Sequence, residues 1–116
     1  MKKENLIYIL HILESVEKIQ KYTLNKTIEL FLEDTLLQDA IIRNLEIIGE
    51  ASKKVDLDFK IKYPTIEWKK MAGMRDKLIH DYIGVDLWAV WGVVEKILPS
   101  LKINLKSIIE NERTTS

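Results

Sequence analysis

Apolar and polar positions alternate along most of this chain with the period of an amphipathic helix. In the first segment the apolar residues recur at steps of three and four, with charged residues between them: Leu6, Ile9, Leu10, Leu13, Val16 and Ile19. Side chains at these steps lie on one face of a helix. The pattern predicts a first helix from about residue 3 to 22, with His11 on its polar side as an ordinary surface histidine.

A second long apolar pattern extends from about residue 35 to 55, and it is wide enough for a helix that packs on two sides. Thr27 is predicted to cap a short apolar turn before it. Asp34-Thr35 offers the start of the long pattern, with Thr35 and Gln38 in the spacing of a capping box. Gly49 lies in the middle of the long pattern, where glycine lowers helix stability. It therefore predicts the close approach of another backbone.

The remaining pattern predicts a connection over residues 56–66, further apolar segments, and a helix that is capped by Asp86. Pro99 is expected to bend or restart this helix, and the polar residues 111–116 are expected to form a frayed tail. We find no sustained strand alternation, internal repeat or low-complexity segment. The chain is therefore predicted to be a single all-α domain over residues 1–116, an antiparallel bundle of four to five helices.

Composition restricts the classes of function. Hydrophobic residues make up 47% and charged residues 31% of the chain, which is typical of a folded soluble domain and argues against disorder. No apolar run approaches the ~18 residues that span a bilayer, and the N-terminus leads into a charged helix rather than a signal segment. Without cysteine there is no disulfide framework and no thiolate metal site. We expect a cytoplasmic protein with no membrane partner and no metal.

The charge is balanced overall, with 18 basic and 18 acidic residues. This balance argues against a strong, sequence-independent grip on nucleic acid, and no DNA partner is expected. Positive charge is nevertheless concentrated locally at Lys69, Lys70, Arg75 and Lys77. We regard the three lysines as candidate substrate contacts, while the alternative is a solvated helix face.

A continuous polar stripe follows the second long helix, formed by Asp39, Arg43, Glu46 and Glu50. At these spacings the side chains can form exposed ion pairs, each worth a few tenths of a kcal/mol. Alternatively, Arg43 or Glu50 supports a site on a neighbouring helix.

The segment from Arg75 to Tyr82 concentrates the candidate chemistry. It places a guanidinium, an imidazole and a phenol within eight residues, in a chain that has only two histidines. On a regular helix, Arg75 and His80 are offset by about 140°, so their side chains diverge. Two copies that face each other across a two-fold axis would bring these groups together.

Such a pair of segments suits RNA cleavage by internal transesterification. The reaction needs a base for the 2′-hydroxyl proton, an acid for the leaving 5′-oxygen, and positive charge at the phosphate. Histidine can fill either proton-transfer role near neutral pH, and arginine offers a planar fork to phosphate oxygens. From the residues alone this is only one possibility, because an Arg/His pair on a helix is far more often structural.

Several sequence blocks then resemble a known family. Arg75-xxxx-His80-x-Tyr82 matches the RxxxxHxY signature of the HepT branch of HEPN domains. Residues 38–51, the Tyr63-Pro64-x-Ile66-x-Trp68 block and residues 72–82 continue the match along essentially the whole chain. The sequence thus resembles the toxins of HepT–MntA toxin–antitoxin pairs.

The resemblance implies an all-α, HEPN-like homodimer that acts as a metal-independent endoribonuclease without a cofactor, with the two motifs apposed in a cleft. It implies that Arg75 and His80 are the catalytic pair and that Asp76 is the polar residue that orients His80 or the substrate. It also implies that Tyr82 is the residue that an MntA-like nucleotidyltransferase antitoxin modifies with AMP. Bulky, anionic adenylate beside the cleft would repel RNA phosphate.

Two alternatives belong to other functional classes. The first is a non-catalytic HEPN module that binds a nucleotide or assembles with a nucleotidyltransferase partner. The second is that the Arg75–Tyr82 segment is only a polar network at the dimer interface, in which case substitution of His80 would mainly weaken dimerisation.

Overall fold

The structure, a computed structural model, describes residues 3–74, 76, 79–80 and 84–115. These residues are almost entirely helical, in agreement with the predicted all-α class. In chain order the elements are α1 (Lys3–Thr23), α2 (Ile28–Glu33), α3 (Thr35–Lys54), α4 (Leu57–Lys62), α5 (Trp68–Ala72), β1 (Ile79–His80), β2 (Gly84–Val85), α6 (Leu87–Gly92), the π-helical turn Val93–Ile97, and α7 (Leu98–Thr115).

The core lies where α1 packs against both α3 and α7. Ile9, Val16 and Ile19 of the predicted α1 stripe are fully buried there, whereas Leu10 is 38% exposed. The core also holds Ile12, Ile41, Ile48 and Leu105. Burial of side chains of this size stabilises the fold by about 1.5–3 kcal/mol each. The predicted boundaries of α1 and α3 are confirmed to within a residue or two.

Capping explains where the short and long helices begin, and it corrects one prediction. Thr27 caps α2 by accepting a hydrogen bond from the backbone N–H of Leu30, as predicted. Helix α3, however, is capped by Asp34 rather than by a Thr35–Gln38 capping box. The Gln38 amide instead donates to carbonyls at the end of α2. A carboxylate one residue earlier therefore takes the capping position.

The stretch predicted as a plain connection over residues 56–66 contains the short helix α4. This prediction was wrong because six residues are too few for a visible periodic pattern. Phe59, 1% exposed, anchors α4 in the core and lies at a tilt to the Tyr63 ring, with the ring centroids 4.9 Å apart. Burial of one aromatic side chain decides this local structure.

The end of the chain also differs from the prediction. Of the residues 111–116 expected to form a frayed tail, 111–115 continue α7 as far as Thr115, and residue 116 lies outside the described residues. Two of them bond to the end of α4 and the residue after it: Glu112 accepts from Lys62 Nζ at 2.9 Å, and Asn111 Nδ2 donates to the Tyr63 hydroxyl at 2.6 Å. These tertiary bonds extend the last helix. No helix in the described part of the chain is long and apolar enough to cross a membrane.

Pro99 affects the helix upstream of itself. Proline has no N–H, so the carbonyl four residues before it lacks its usual helical partner. Just before Pro99, residues Val93–Ile97 form a π-helical turn in which the Leu98 N–H donates to the Val93 carbonyl. The predicted bend or restart therefore takes the form of a π turn between α6 and α7.

Candidate active site

Helix α5 anchors the chain immediately before the Arg75–Tyr82 segment. Its side chains Trp68 and Met71 are buried, and Trp68 Nε1 donates to the Tyr63 carbonyl at 3.0 Å. Met74, the last residue before Arg75, is also buried, at 6% exposure. The main chain is therefore held in the core up to the residue that precedes the candidate catalytic arginine.

The predicted close approach at Gly49 is confirmed, and it is α5 that approaches. A Cβ atom at Gly49 would lie 3.3 Å from the Met71 carbonyl oxygen and 3.5 Å from that of Ala72. The absence of a side chain at this one position of α3 allows the C-terminal end of α5 to pack directly on the α3 backbone. Gly49 thus helps set where the following segment begins.

A short antiparallel pairing, absent from the sequence prediction, follows. Strands β1 and β2 pair with Ile79 opposite Val85 and His80 opposite Gly84. Gly84 has φ +136°, a conformation that residues with side chains rarely adopt. The backbone at His80 is therefore extended rather than helical, so the helical offset between Arg75 and His80 does not apply to this segment.

Asp86 holds the other end of the segment. Its carboxylate accepts a hydrogen bond from the Ala89 N–H at 3.0 Å and caps α6, as predicted. Val85, half-buried, packs against the core beside it. The Arg75–Tyr82 segment therefore runs between two fixed points, buried Met74 and the cap at Asp86.

The predicted site residues fall into two groups. Arg75, Lys77 and Tyr82 lie outside the described residues, and of His80 the structure describes the strand position. Asp76 is helical and exposed. Lys69 and Lys70 are exposed on α5, and Lys70 Nζ lies 2.6 Å from Glu67 Oε2. The two α5 lysines therefore stand on the surface within two turns of the motif.

The polar stripe on α3 has a neighbour that sequence reasoning missed. Arg43, Glu46 and Glu50 line a groove of about 420 Å³ together with Tyr8 and His11 of α1. His11 is exposed, as predicted. The α1–α3 packing nevertheless gives it the clustered polar neighbours that its own helix lacks. No pattern within α1 could have revealed this.

The two supporting candidates on α3 differ in their contacts. Glu50 Oε1 lies 3.6 Å from Lys53 Nζ, and both side chains are at least half exposed. Exposed pairs of this kind contribute little to stability. Arg43 is exposed in the α1–α3 groove. That either residue supports the chemistry stays a prediction.

A separate ionisable cluster joins Lys62, Tyr63 and Glu112 at the far end of α7. Burial works against the ionised carboxylate, but hydrogen bonds from Tyr63 and Lys62 outweigh it, so the pKa of Glu112 is lowered. Burial, together with the hydrogen bond to Glu112, raises the pKa of Tyr63. These groups tie α4 to α7 and serve the fold.

The comparisons with known proteins bear on the motif directly. A family model described as Ribonuclease HepT-like matches residues 12–108, which include the whole Arg75–Tyr82 segment. A protein of Thermococcus cleftensis named "Probable ribonuclease HepT" is 49% identical over 102 residues, covering 88% of this chain and 93% of its own length.

Two proteins of Methanocaldococcus jannaschii are also similar. One, named as a "Putative RNase", is 40% identical over 110 residues, covering 95% of this chain and 91% of its own length. The other, named "Gamma-glutamylcyclotransferase and putative RNase", is 50% identical over 110 residues. The match covers 95% of this chain but only 50% of that longer relative. No solved structure matches.

Proposed function

The chain belongs to the HepT-like ribonuclease family, and from this premise we propose that it is a metal-independent endoribonuclease acting as the toxin of a toxin–antitoxin pair. The observation that carries the proposal is the family match over residues 12–108, which spans Arg75, His80 and Tyr82. The packing of the residues on either side of the segment, buried Met74 and the α6 cap at Asp86, supports it, because catalysis requires a rigid scaffold around the reacting groups.

In the proposed reaction the RNA 2′-oxygen attacks the adjacent phosphorus. A new P–O2′ bond forms, the P–O5′ bond breaks, and the products are a 2′,3′-cyclic phosphate and a free 5′-hydroxyl. A base accepts the 2′-hydroxyl proton and an acid donates a proton to the leaving 5′-oxygen. His80 fills these roles, while Arg75 stabilises the extra negative charge on the phosphate oxygens.

One imidazole cannot act as base and acid in the same step, because it is either neutral or protonated. We therefore propose a homodimer in which His80 of each copy takes one role across a shared cleft. Asp76, exposed on the same segment, is the proposed orienting residue, and Lys69, Lys70 and Lys77 are the proposed phosphate contacts. Arg43 and Glu50 are proposed to support the site from α3.

The proposed control of the toxin is adenylylation of Tyr82 by an MntA-like nucleotidyltransferase. Tyr82 is two residues from His80, so an AMP group there would bring negative charge and bulk to the cleft. Incubation with the partner enzyme and ATP should raise the intact mass by one AMP residue. The Tyr82→Phe variant should show no increase.

The decisive experiment compares the only two histidines of the chain. His80→Ala should fold normally but lose RNA cleavage in EDTA and lose growth inhibition. The matched control His11→Ala, an exposed position on α1, should retain both. Equal cleavage by all three proteins would remove His80 from the reaction.

The same preparations separate the alternatives. A parent protein that leaves RNA intact but binds ATP or the nucleotidyltransferase would favour the non-catalytic module. A His80→Ala protein that becomes monomeric by light scattering, against a chain mass of 13.6 kDa, would favour a purely structural interface network. Detection of 2′,3′-cyclic phosphate ends would support the transesterification chemistry specifically.

A further inference from the structure

A groove between α5 and the last helical region lies directly beside the start of the motif. Its main part, about 330 Å³, lies within the roughly 300–1,000 Å³ range of small-ligand sites. The residues lining it include Lys70, Met74, Ala89, Gly92, Lys96 and Ile97. A second depression of about 290 Å³ shares four of these residues and extends the groove along α7.

The groove combines an apolar lining with a basic rim. Met74 and Val93 are buried in the core, whereas Lys70 and Lys96 are exposed on opposite sides, one from α5 and one from the π turn. A Cβ atom built at Gly92 would meet no other atom within 4 Å, so the space above that residue is open. A ligand that fits this arrangement has a flat apolar part and a negatively charged part.

Trp88 lies on α6 one helical turn before Gly92, which lines the groove. It precedes Gly92 by four residues, and Lys96 follows Gly92 by four, so the three positions lie roughly along one side of the helix. Trp88 is 66% exposed, an unusual state for the largest apolar side chain. Exposed aromatic rings next to basic residues are the usual platform for stacking unpaired bases.

The π turn gives the groove a further functional mark. It spans Val93–Ile97 and therefore includes Lys96. Short π-helical insertions in α-helices occur frequently at functional sites. Here the turn widens the helix where the lysine faces the groove rim and Gly92 leaves space.

The groove and the motif are adjacent in the chain. Met74, which lines the groove, directly precedes Arg75 in the chain. A nucleotide seated on Met74 would therefore lie next to the backbone of the proposed phosphate-binding arginine. Binding of a base in the groove is therefore compatible with binding of its neighbouring phosphodiester by Arg75.

We propose that this groove is a nucleotide subsite that holds one unpaired base of single-stranded RNA next to the phosphate that is cleaved. The base stacks on Trp88 and lies over Gly92, while Lys96 and Lys70 contact the flanking phosphates. Lys70 gives up its pair with Glu67 to do so, at small cost because both side chains are exposed. The inference rests on the proposed function and names how the substrate is positioned.

The test uses the 116-residue chain in a His80→Ala background, so that the RNA probe is bound but not cut. The probe is a fluorescein-labelled single-stranded oligoribonucleotide, measured by anisotropy over a series of salt concentrations. Trp88→Ala should weaken binding by about 5- to 100-fold, as expected for loss of one stacked base. Lys96→Glu should weaken binding and should lower the slope of log affinity against log salt by about one.

The matched controls are substitutions at similarly exposed positions outside the groove. Lys106→Glu makes the same charge change at an exposed position of α7 outside the groove, and Ile61→Ala truncates a side chain as exposed as Trp88, at 66%. Both controls should bind the probe within twofold of the parent. Gly92→Leu, which places a side chain in the open space, should weaken binding as Trp88→Ala does.

The outcomes are distinguishable from failure of the proposed function. Weakened binding in the groove variants supports the subsite even if the wild-type motif proves unable to cleave RNA. Binding within twofold of the parent in both Trp88→Ala and Lys96→Glu overturns the subsite, even if cleavage through His80 is demonstrated. A change in oligomeric mass with unchanged RNA affinity also overturns it and assigns the groove to a protein contact.

Discussion

Substitution of Gly49 tests the contact that positions α5 and therefore the start of the motif. Two opposing effects act in Gly49→Ala. Alanine favours the helical conformation over glycine by about 1 kcal/mol. Its Cβ, however, would lie 3.3 Å from the Met71 carbonyl oxygen, which is tighter than ordinary packing, whereas the 3.5 Å distance to the Ala72 carbonyl oxygen is an ordinary contact.

The tertiary cost can be isolated with a second glycine. Gly92 is also helical, and a Cβ there meets nothing within 4 Å, so Gly92→Ala should be stabilising by about 0.5–1 kcal/mol. Overpacking typically costs about 1–3 kcal/mol. The free energy of unfolding of Gly49→Ala should therefore be about 1–3 kcal/mol lower than that of Gly92→Ala, and that of Gly49→Val should be lower still.

The measurement is equilibrium urea denaturation of the parent and the three variants at one protein concentration, because the proposed dimerisation would make apparent stability concentration-dependent. Equal m-values would show that the unfolding reaction is the same in each protein. The reasoning would be refuted if Gly49→Ala were stabilised as much as Gly92→Ala. That result would mean that the α5 carbonyls do not pack on α3 at this position.

Three further predictions follow from local contacts. Asp34→Ala should lose about 0.5–2 kcal/mol of stability because it removes the α3 cap, whereas Thr35→Ala should change stability little. Urea denaturation compares the two variants. A larger loss in Thr35→Ala than in Asp34→Ala would show that Thr35 is the capping residue. Gly84→Ala should lower the free energy of unfolding by about 1–3 kcal/mol, because alanine is strained at the φ of +136° found here. Thermal unfolding measures this, and an unchanged midpoint would contradict the strain expected of alanine at this position. The lowered pKa of Glu112 means that its carboxylate stabilises the fold above about pH 4.5, the ordinary value, and that this contribution is lost as pH falls through the lower folded-state pKa. Glu112→Gln should therefore cost about 1–3 kcal/mol at pH 7 and flatten the acid side of the stability profile, and an identical profile would show that its bond with Tyr63 contributes nothing.

The sequence by itself determined the helices whose signal is local and repeated. The three- and four-residue steps of α1 and α3 predicted boundaries within a residue or two, because a helix buries one periodic face. Thr27 and Asp86 were recognised as caps because a cap involves only the next few residues. Gly49 signalled a close approach because glycine has no other advantage inside a helix.

The motif was also a local signal. Arg75, His80 and Tyr82 stand at fixed spacing in the chain, and the family match spans all three. Their roles in catalysis and modification remain predictions, since the proposed chemistry depends on how side chains meet in a homodimer that is itself a proposal. The spacing of these residues along the chain does not determine how their side chains are arranged in space.

Only the tertiary structure decided the rest. The pairing at His80 and Gly84 involves two-residue strands, which are too short to alternate visibly. Helix α4 forms because Phe59 reaches the core, and α7 continues past Asn111 because Tyr63 and Lys62 lie beside its last turns. Each depends on a partner distant in sequence.

The grooves show the same division. His11 has charged neighbours because α1 packs on α3, and Lys96 faces Lys70 because the last helical region packs beside α5. Periodicity tells which face of a helix is buried, but it does not tell which other helix covers that face or what the remaining surfaces enclose between them. Those arrangements arise from the packing of whole elements, and they are what turn a set of helices into candidate binding surfaces.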